Sequence, residues 1–144
     1  MSEPGTAPGP AVLLVDDNVE DRTRLAAMLQ EEGIRIVGEA GDGVEGVALA
    51  RSLQPDVVLM DLRMPLMNGF EATRQILQFQ PFVRVLILTV YDDPSLDRSA
   101  SEVGAYAYLV KGCSVQLIRD VILQAAKFKA GLEAGTTSGP PSPT

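Results

Sequence analysis

PDVVLMDLRMPLMNG, residues 55–69, runs four apolar residues, Val57 to Met60, straight into a carboxylate at Asp61. Pro55 precedes the run, and Pro65 with Asn68-Gly69 follows it as turn signals. A run so short, apolar and rich in β-branched residues suits a strand buried on both faces, the kind found in parallel sheets covered by helices. A charge at the end of such a strand emerges at the carboxyl edge of the sheet, where open α/β folds place ligands. A solvated aspartate that merely ends the strand is the plain alternative for Asp61 taken alone.

Working outward, the same pattern recurs. Ala11 to Val15 is a second all-apolar run, and it ends in Asp16-Asp17-Asn18. Leu25, Met28 and Leu29 then share one face of a helix that stops at Gly33. Ile34 to Ala40 alternates as a strand, with Ile34, Ile36 and Gly38 on one side. Gly41-Asp42-Gly43 opens a helix bearing Val44, Val47, Ala48 and Leu49. After Asp61 comes a helix over about 70–80 with Ile76 and Leu77 inward, then a strand from Val83 to Leu88 ending in Thr89. A weakly amphipathic helix over 94–103 leads to a strand over 104–110 that ends in Lys111. Ser114 caps the last helix, which carries Leu117, Ile118, Val121, Ile122 and Ala125. Strict strand–helix alternation implies an α/β fold: a doubly wound five-stranded parallel sheet, flavodoxin-like, of order 2-1-3-4-5. The domain is expected over 11–130. Residues 1–10 and the Gly/Pro/Ser/Thr-rich 131–144 are expected to be disordered, the second as a linker or free end.

Composition narrows the chemistry. The 144 residues suffice for one core, and 46% hydrophobic with 22% charged is ordinary globular content. A net charge of −7 argues against direct nucleic-acid binding by this chain, which would need a basic patch. No apolar run approaches membrane-spanning length, and the single cysteine, Cys113, fits a reducing cytoplasm. The absence of histidine excludes Ser-His catalysis, His-ligated zinc and a phosphohistidine relay within this chain.

In the expected sheet, strands one and three are neighbours at the switch point, so Asp16, Asp17 and Asp61 converge in one crevice. At an effective dielectric near 20, two such charges ~5 Å apart repel by about 3 kcal/mol. The cluster is unfavourable unless it holds a cation or a proton. All-oxygen ligands suit Mg²⁺, and a hydroxyl (Thr89) with an ammonium (Lys111) suits the oxygens of a phosphoryl group. Each residue alone has a bland reading. Paired acids commonly open a helix, a strand-terminal threonine is a β former, and a lone lysine is a solvated charge. Their joint placement at the ends of the correct strands describes a carboxylate phosphorylated beside Mg²⁺.

VLLVDDN, VVLMDLRMPLMNGFEA, VLILTVYDD and GAYAYLVKG resemble the signatures of the CheY-like response-regulator receiver domain, over roughly 11–128. VGEAGDG and Lys111-Gly112 are similar to the NarL/LuxR-type receivers, which carry a DNA-binding domain after the receiver. The resemblance implies Asp61 as phosphoacceptor, with Mg²⁺ held by Asp16, Asp17, Asp61 and the backbone carbonyl of Arg63. It implies Thr89 as the switch hydroxyl, Lys111 as its partner at the phosphoryl group, and Tyr108 as the aromatic rotamer switch. Arg63 and Tyr91 stand where the family tunes autodephosphorylation. Gly112 departs from the pattern, since most receivers have there a proline with a cis bond; no cis bond is expected here.

A two-component response regulator is therefore expected, phosphorylated by a partner sensor histidine kinase and controlling an output, transcription first among them. The surface of the fourth helix, fifth strand and fifth helix, or that of the first and fifth helices, is the expected homodimer face. Such a domain is a phospho-accepting signalling module, with self-catalysed phosphotransfer and autodephosphorylation only. A stand-alone receiver acting in phosphotransfer or protein binding is the alternative. An Asp-nucleophile phosphatase also uses Asp, Mg²⁺ and Lys, but it needs a second acid two residues after the first-strand nucleophile. Asn18 stands there, and no cap segment follows.

Overall fold

A computed structural model describes residues 9–133. Five strands, β1 (Ala11–Val15), β2 (Arg35–Ala40), β3 (Val57–Met60), β4 (Arg84–Thr89) and β5 (Ala107–Val110), alternate with five helices. The helices are α1 (Val19–Glu31), α2 (Gly43–Leu53), α3 (Gly69–Phe79), α4 (Pro94–Glu102) and α5 (Val115–Glu133). All pairings are parallel and the order is β2-β1-β3-β4-β5, as expected from the alternation.

Strand alternation divides the core in two. Leu13, Val15, Val58, Met60, Val85 and Ile87 point to one face, where they meet Ala50 of α2, Ala72 and Ile76 of α3, and Ala100 of α4. Val12, Leu14, Val57, Leu59, Leu86 and Leu88 point to the other, against Leu29 of α1 and Ile118, Ile122 and Ala125 of α5. Every residue of β3 is buried, which is why it reads as an unbroken apolar run. Asn18, Asp42, Asn68 and Asp93 cap α1 to α4, each accepting a backbone N–H of the first turn. Ser114 Oγ likewise accepts the Leu117 N–H at 3.1 Å.

Several expected details differ. In α2 the buried face is Gly43, Gly46 and Ala50, and Val44 is 48% exposed. The helix lies so close to the sheet that a Cβ on Gly46 would stand 2.9 Å from a Val15 methyl, so small residues form the fully buried stripe, with Val47 and Leu49 packed beside it. Met28 and Leu117 are likewise exposed, because Ala26 and Leu29 in α1 and Ile118 and Ile122 in α5 fill the space beneath those helices. β2 starts at Arg35 rather than Ile34, and a register shift sets Ile36 opposite Val12 but Gly38 opposite Leu13. β5 is only Ala107–Val110, an edge strand shorter than the expected 104–110. The last helix runs to Glu133, so Gly131, Leu132 and Glu133 belong to α5 rather than to a tail. The expected disorder of residues 1–8 and 134–144 lies outside the described residues.

The loop after β3 is tightly constrained. The Gly69 N–H donates to the Leu62 carbonyl at 2.8 Å, and a Cβ on Gly69 would meet the Asp61 carbonyl oxygen at 2.2 Å. Gly69→Ala must displace backbone rather than a flexible side chain. It is expected to destabilise the domain by about 1–3 kcal/mol, read from the midpoint of urea unfolding.

Candidate functional site

Parallel register builds the site. Val15 pairs with Met60, so the next residues, Asp16 and Asp61, emerge side by side. Backbone hydrogen bonds continue past the strand ends: Asp61 N–H to the Val15 carbonyl at 2.8 Å, Asp16 N–H to the Ala40 carbonyl at 3.0 Å, and Lys111 N–H to the Thr89 carbonyl at 2.6 Å. These bonds fix where each side chain leaves the main chain.

Carboxylate oxygens of Asp16, Asp17 and Asp61 lie within 4.8 Å of one another. Asp17 is exposed, whereas Asp16 and Asp61 are only 6% and 9% exposed. The Asn18 N–H donates to Asp16 Oδ1 and the Leu62 N–H to Asp61 Oδ1, at 2.9 and 2.8 Å. That leaves the other oxygen of each facing the crevice, where Lys111 Nζ stands 2.6 Å from Asp16 Oδ2 and 3.7 Å from Asp61 Oδ2. The Asp61 carboxyl is raised to about 6: burial pushes it up most, Lys111 pulls it back, the Asp16 charge and hydrogen bond push it up, and the Leu62 N–H pulls it down. Burial lowers Lys111, but its hydrogen bond to Asp16 and the charges of Asp61, Asp16 and Asp21 prevail and raise it. The crevice thus retains an excess of negative charge with the ammonium in place. An all-oxygen donor set of this size and charge fits Mg²⁺.

Thr89 is fully buried at the end of β4, and its hydroxyl oxygen lies 3.5 Å from the Tyr91 amide nitrogen that donates to it. The Tyr108 hydroxyl on β5 donates to the Tyr91 carbonyl, joining that strand to the loop after β4. Arg63 and Tyr91, the pair the resemblance links to autodephosphorylation, stack on each other, with the guanidinium carbon 4.5 Å from the ring centroid. Among the described residues no peptide bond is cis, and Gly112 has φ of +104°, which proline cannot adopt. The loop after Lys111 is therefore built around glycine.

Two residues of the site went unread in the sequence. Arg22 donates from Nη1 to the Asp16 carbonyl at 2.6 Å and pairs with Glu39 at 3.1 Å, bracing the Asp16 backbone. Asp21 Oδ2 stands 3.5 Å from Lys111 Nζ. The available signal was position alone: both lie in the first turn of the helix that leaves the crevice.

A doubly wound sheet that gathers three carboxylates and a lysine at the carboxyl edge of its strands places an acidic, cation-suited crevice where such folds bind ligands. The response regulator receiver domain model matches residues 12–123, and the chain belongs to that family. It is 43% identical over 115 residues to the response regulator GacA of Pseudomonas aeruginosa, covering 76% of this chain and 54% of that protein. It is also 43% identical over 124 residues to the transcriptional regulatory protein LiaR of Bacillus subtilis, covering 85% of this chain and 59% of that one. The chain thus spans little more than half the length of these relatives. The signal receiver domain of the response regulator NarL from Mycobacterium tuberculosis superposes with a TM-score of 0.80 at 30% identity, over 84% of this chain and 98% of that domain. The chain is accordingly a two-component receiver domain, a signalling module rather than a conventional enzyme. Among the described residues no helix is long and apolar enough to cross a membrane.

Proposed function

We propose that Asp61 accepts a phosphoryl group from the phosphohistidine of a partner sensor kinase. Mg²⁺ would be held by Asp16, Asp17, Asp61 and the Arg63 carbonyl. The observation that carries this is the convergence of three carboxylates and Lys111 in a crevice where Asp61 is hard to ionise. The bound metal supplies positive charge for the non-bridging phosphoryl oxygens. Asp61 presents Oδ2 as nucleophile while the Leu62 N–H holds Oδ1, and Lys111 needs only a short displacement to pair with the added charge.

Thr89 then turns its hydroxyl toward a phosphoryl oxygen, exchanging its weak contact with the Tyr91 N–H. Tyr108 responds because its hydroxyl holds the Tyr91 carbonyl two residues on. It also lines a groove with Arg84, Asp97, Tyr106 and Gln124, between α4, β5 and α5. That shared side chain favours the α4-β5-α5 face over the α1-α5 face for output and for pairing of activated copies. Control of transcription through a DNA-binding domain outside this chain is the proposed output, supported by the likeness to LiaR. A phosphorylated histidine kinase should lose its label to this chain in Mg²⁺ and keep it in excess chelator. Equal transfer in both conditions contradicts the metal's role.

The stacked Arg63 and Tyr91 bear on how long the phosphorylated state lasts. Hydrolysis needs a water in line with the phosphoryl bond, and neither side chain is a carboxylate or carboxamide that could orient it. Arg63 can instead bind phosphoryl oxygens. Autodephosphorylation is therefore expected to be slow, which suits a persistent output. Arg63→Asn/Tyr91→Glu should lose phosphate roughly tenfold faster, equivalent to ~1.4 kcal/mol in the barrier. An unchanged rate, followed by loss of bound phosphate, contradicts this role of Arg63 and Tyr91.

A further inference from the structure

Lys111 has more carboxylate partners than the phosphotransfer chemistry proposed above requires. Its ammonium stands 2.6 Å from Asp16, 3.7 Å from Asp61 and 3.5 Å from Asp21. Asp16 and Asp61 belong to the cluster that suits a cation, whereas Asp21 does not. Asp21 is held by its helix: Asn18 Oδ1 accepts its backbone N–H at 2.9 Å, and the Asp21 side chain lines an open cavity together with Asp16 and Lys111. Its carboxylate is 40% exposed, and its other charged neighbour, Arg24, is 4.0 Å away and 68% exposed, so water largely screens that pair.

We infer that Asp21 is a positioning residue for Lys111, a gatekeeping carboxylate that restrains the ammonium and opposes incoming anionic phosphodonors. This inference rests on the phosphoacceptor reading of Asp61. Once a divalent cation draws on Asp16 and Asp61, Asp21 is the carboxylate left to set where the ammonium rests. Lys111 must leave it to reach a phosphoryl group on Asp61. The same charge stands at the entrance through which a dianionic donor arrives, against a crevice already rich in negative charge.

The test measures initial phosphorylation of the chain in Mg²⁺ with acetyl phosphate and with the less charged donor phosphoramidate. Asp21→Asn is expected to raise the acetyl phosphate rate roughly three- to tenfold, with a smaller gain for phosphoramidate. Asp21→Glu restores the wild-type rate because it restores the charge. The gain contracts at 1 M salt, where the screening length is about 3 Å, which a merely structural role of Asp21 would not produce. Independently of turnover, the ¹⁵N ammonium signal of Lys111 in Mg²⁺-loaded protein shifts in Asp21→Asn and returns in Asp21→Glu. An Asp61-phosphorylated wild type whose rate is unaltered or lowered by Asp21→Asn overturns this inference alone. So does Asp21→Glu behaving like Asp21→Asn. A wild type that gains no phosphoryl group on Asp61 from either donor or a kinase overturns the phosphoacceptor reading, and this inference with it.

Discussion

Asp61→Asn is expected to take up no phosphoryl group and, without Mg²⁺, to be more stable at pH 7.5 than the wild type. Both effects come from one carboxylate. The amide has no anionic oxygen for attack on phosphorus, yet it keeps the shape of the side chain and an oxygen to accept the Leu62 N–H now 2.8 Å from Oδ1. The stability effect follows from the rise of the Asp61 carboxyl to about 6 from its ordinary 3.8, caused first by burial. The folded state holds the Asp61 proton more tightly than the unfolded chain does. Its contribution to stability is therefore fully present below pH 3.8 and is lost as the pH rises through about 6. A shift of that size corresponds to roughly 3 kcal/mol at most, and water reaching the crevice reduces it. Metal-free wild type should thus lose stability between about pH 4 and pH 6.5, while Asp61→Asn should lack that component. Urea unfolding at a series of pH values in chelator reads both; parallel profiles for the two proteins contradict the assignment.

Mg²⁺ should remove the same penalty in the wild type, because a cation that binds only the folded crevice stabilises it by mass action. At a hundredfold excess over its dissociation constant the gain is about 2.7 kcal/mol. Asp17→Asn should weaken that dependence by about tenfold in Mg²⁺ concentration, equivalent to ~1.4 kcal/mol of binding. It should raise metal-free stability less than Asp61→Asn does, since Asp17 is exposed and Asp61 is not. Titrating Mg²⁺ against the melting temperature of the three proteins separates these effects. A wild-type melt indifferent to Mg²⁺ shows that the carboxylate cluster is no metal site.

What was legible in the sequence follows from what a strand end encodes. A fully buried parallel strand needs an unbroken apolar run, so the charge that stops it is conspicuous. Asp16 and Asp61 could be set side by side once the strand order was fixed, and register pairs the residues before them, Val15 with Met60. Contacts that depend on helix direction or loop conformation were not legible. Nothing in the sequence singles Asp21 out from other first-turn acids; only the angle at which α1 leaves the sheet brings it to 3.5 Å from Lys111. On α2 the sequence drew attention to Val44, Val47 and Leu49, of which Val47 and Leu49 pack against the core. Close approach to the sheet makes Gly43, Gly46 and Ala50 its fully buried residues, which periodicity did not announce. The β3–α3 loop contains a γ-turn in which Met67 N–H donates to the Pro65 carbonyl at 2.8 Å and Leu66 takes φ of 71°. Leucine rarely adopts that conformation, so no residue type announced it. The stacking of Arg63 on Tyr91 was not legible either, because it depends on rotamers that sequence spacing does not determine.

The most direct test is to phosphorylate the chain in Mg²⁺, with a small donor and then with a histidine kinase, and to map the modified residue by mass spectrometry. One phosphoryl group on Asp61, absent from Asp61→Asn, is the result expected. A phosphoryl group on another residue, or one that persists in Asp61→Asn, would contradict the account.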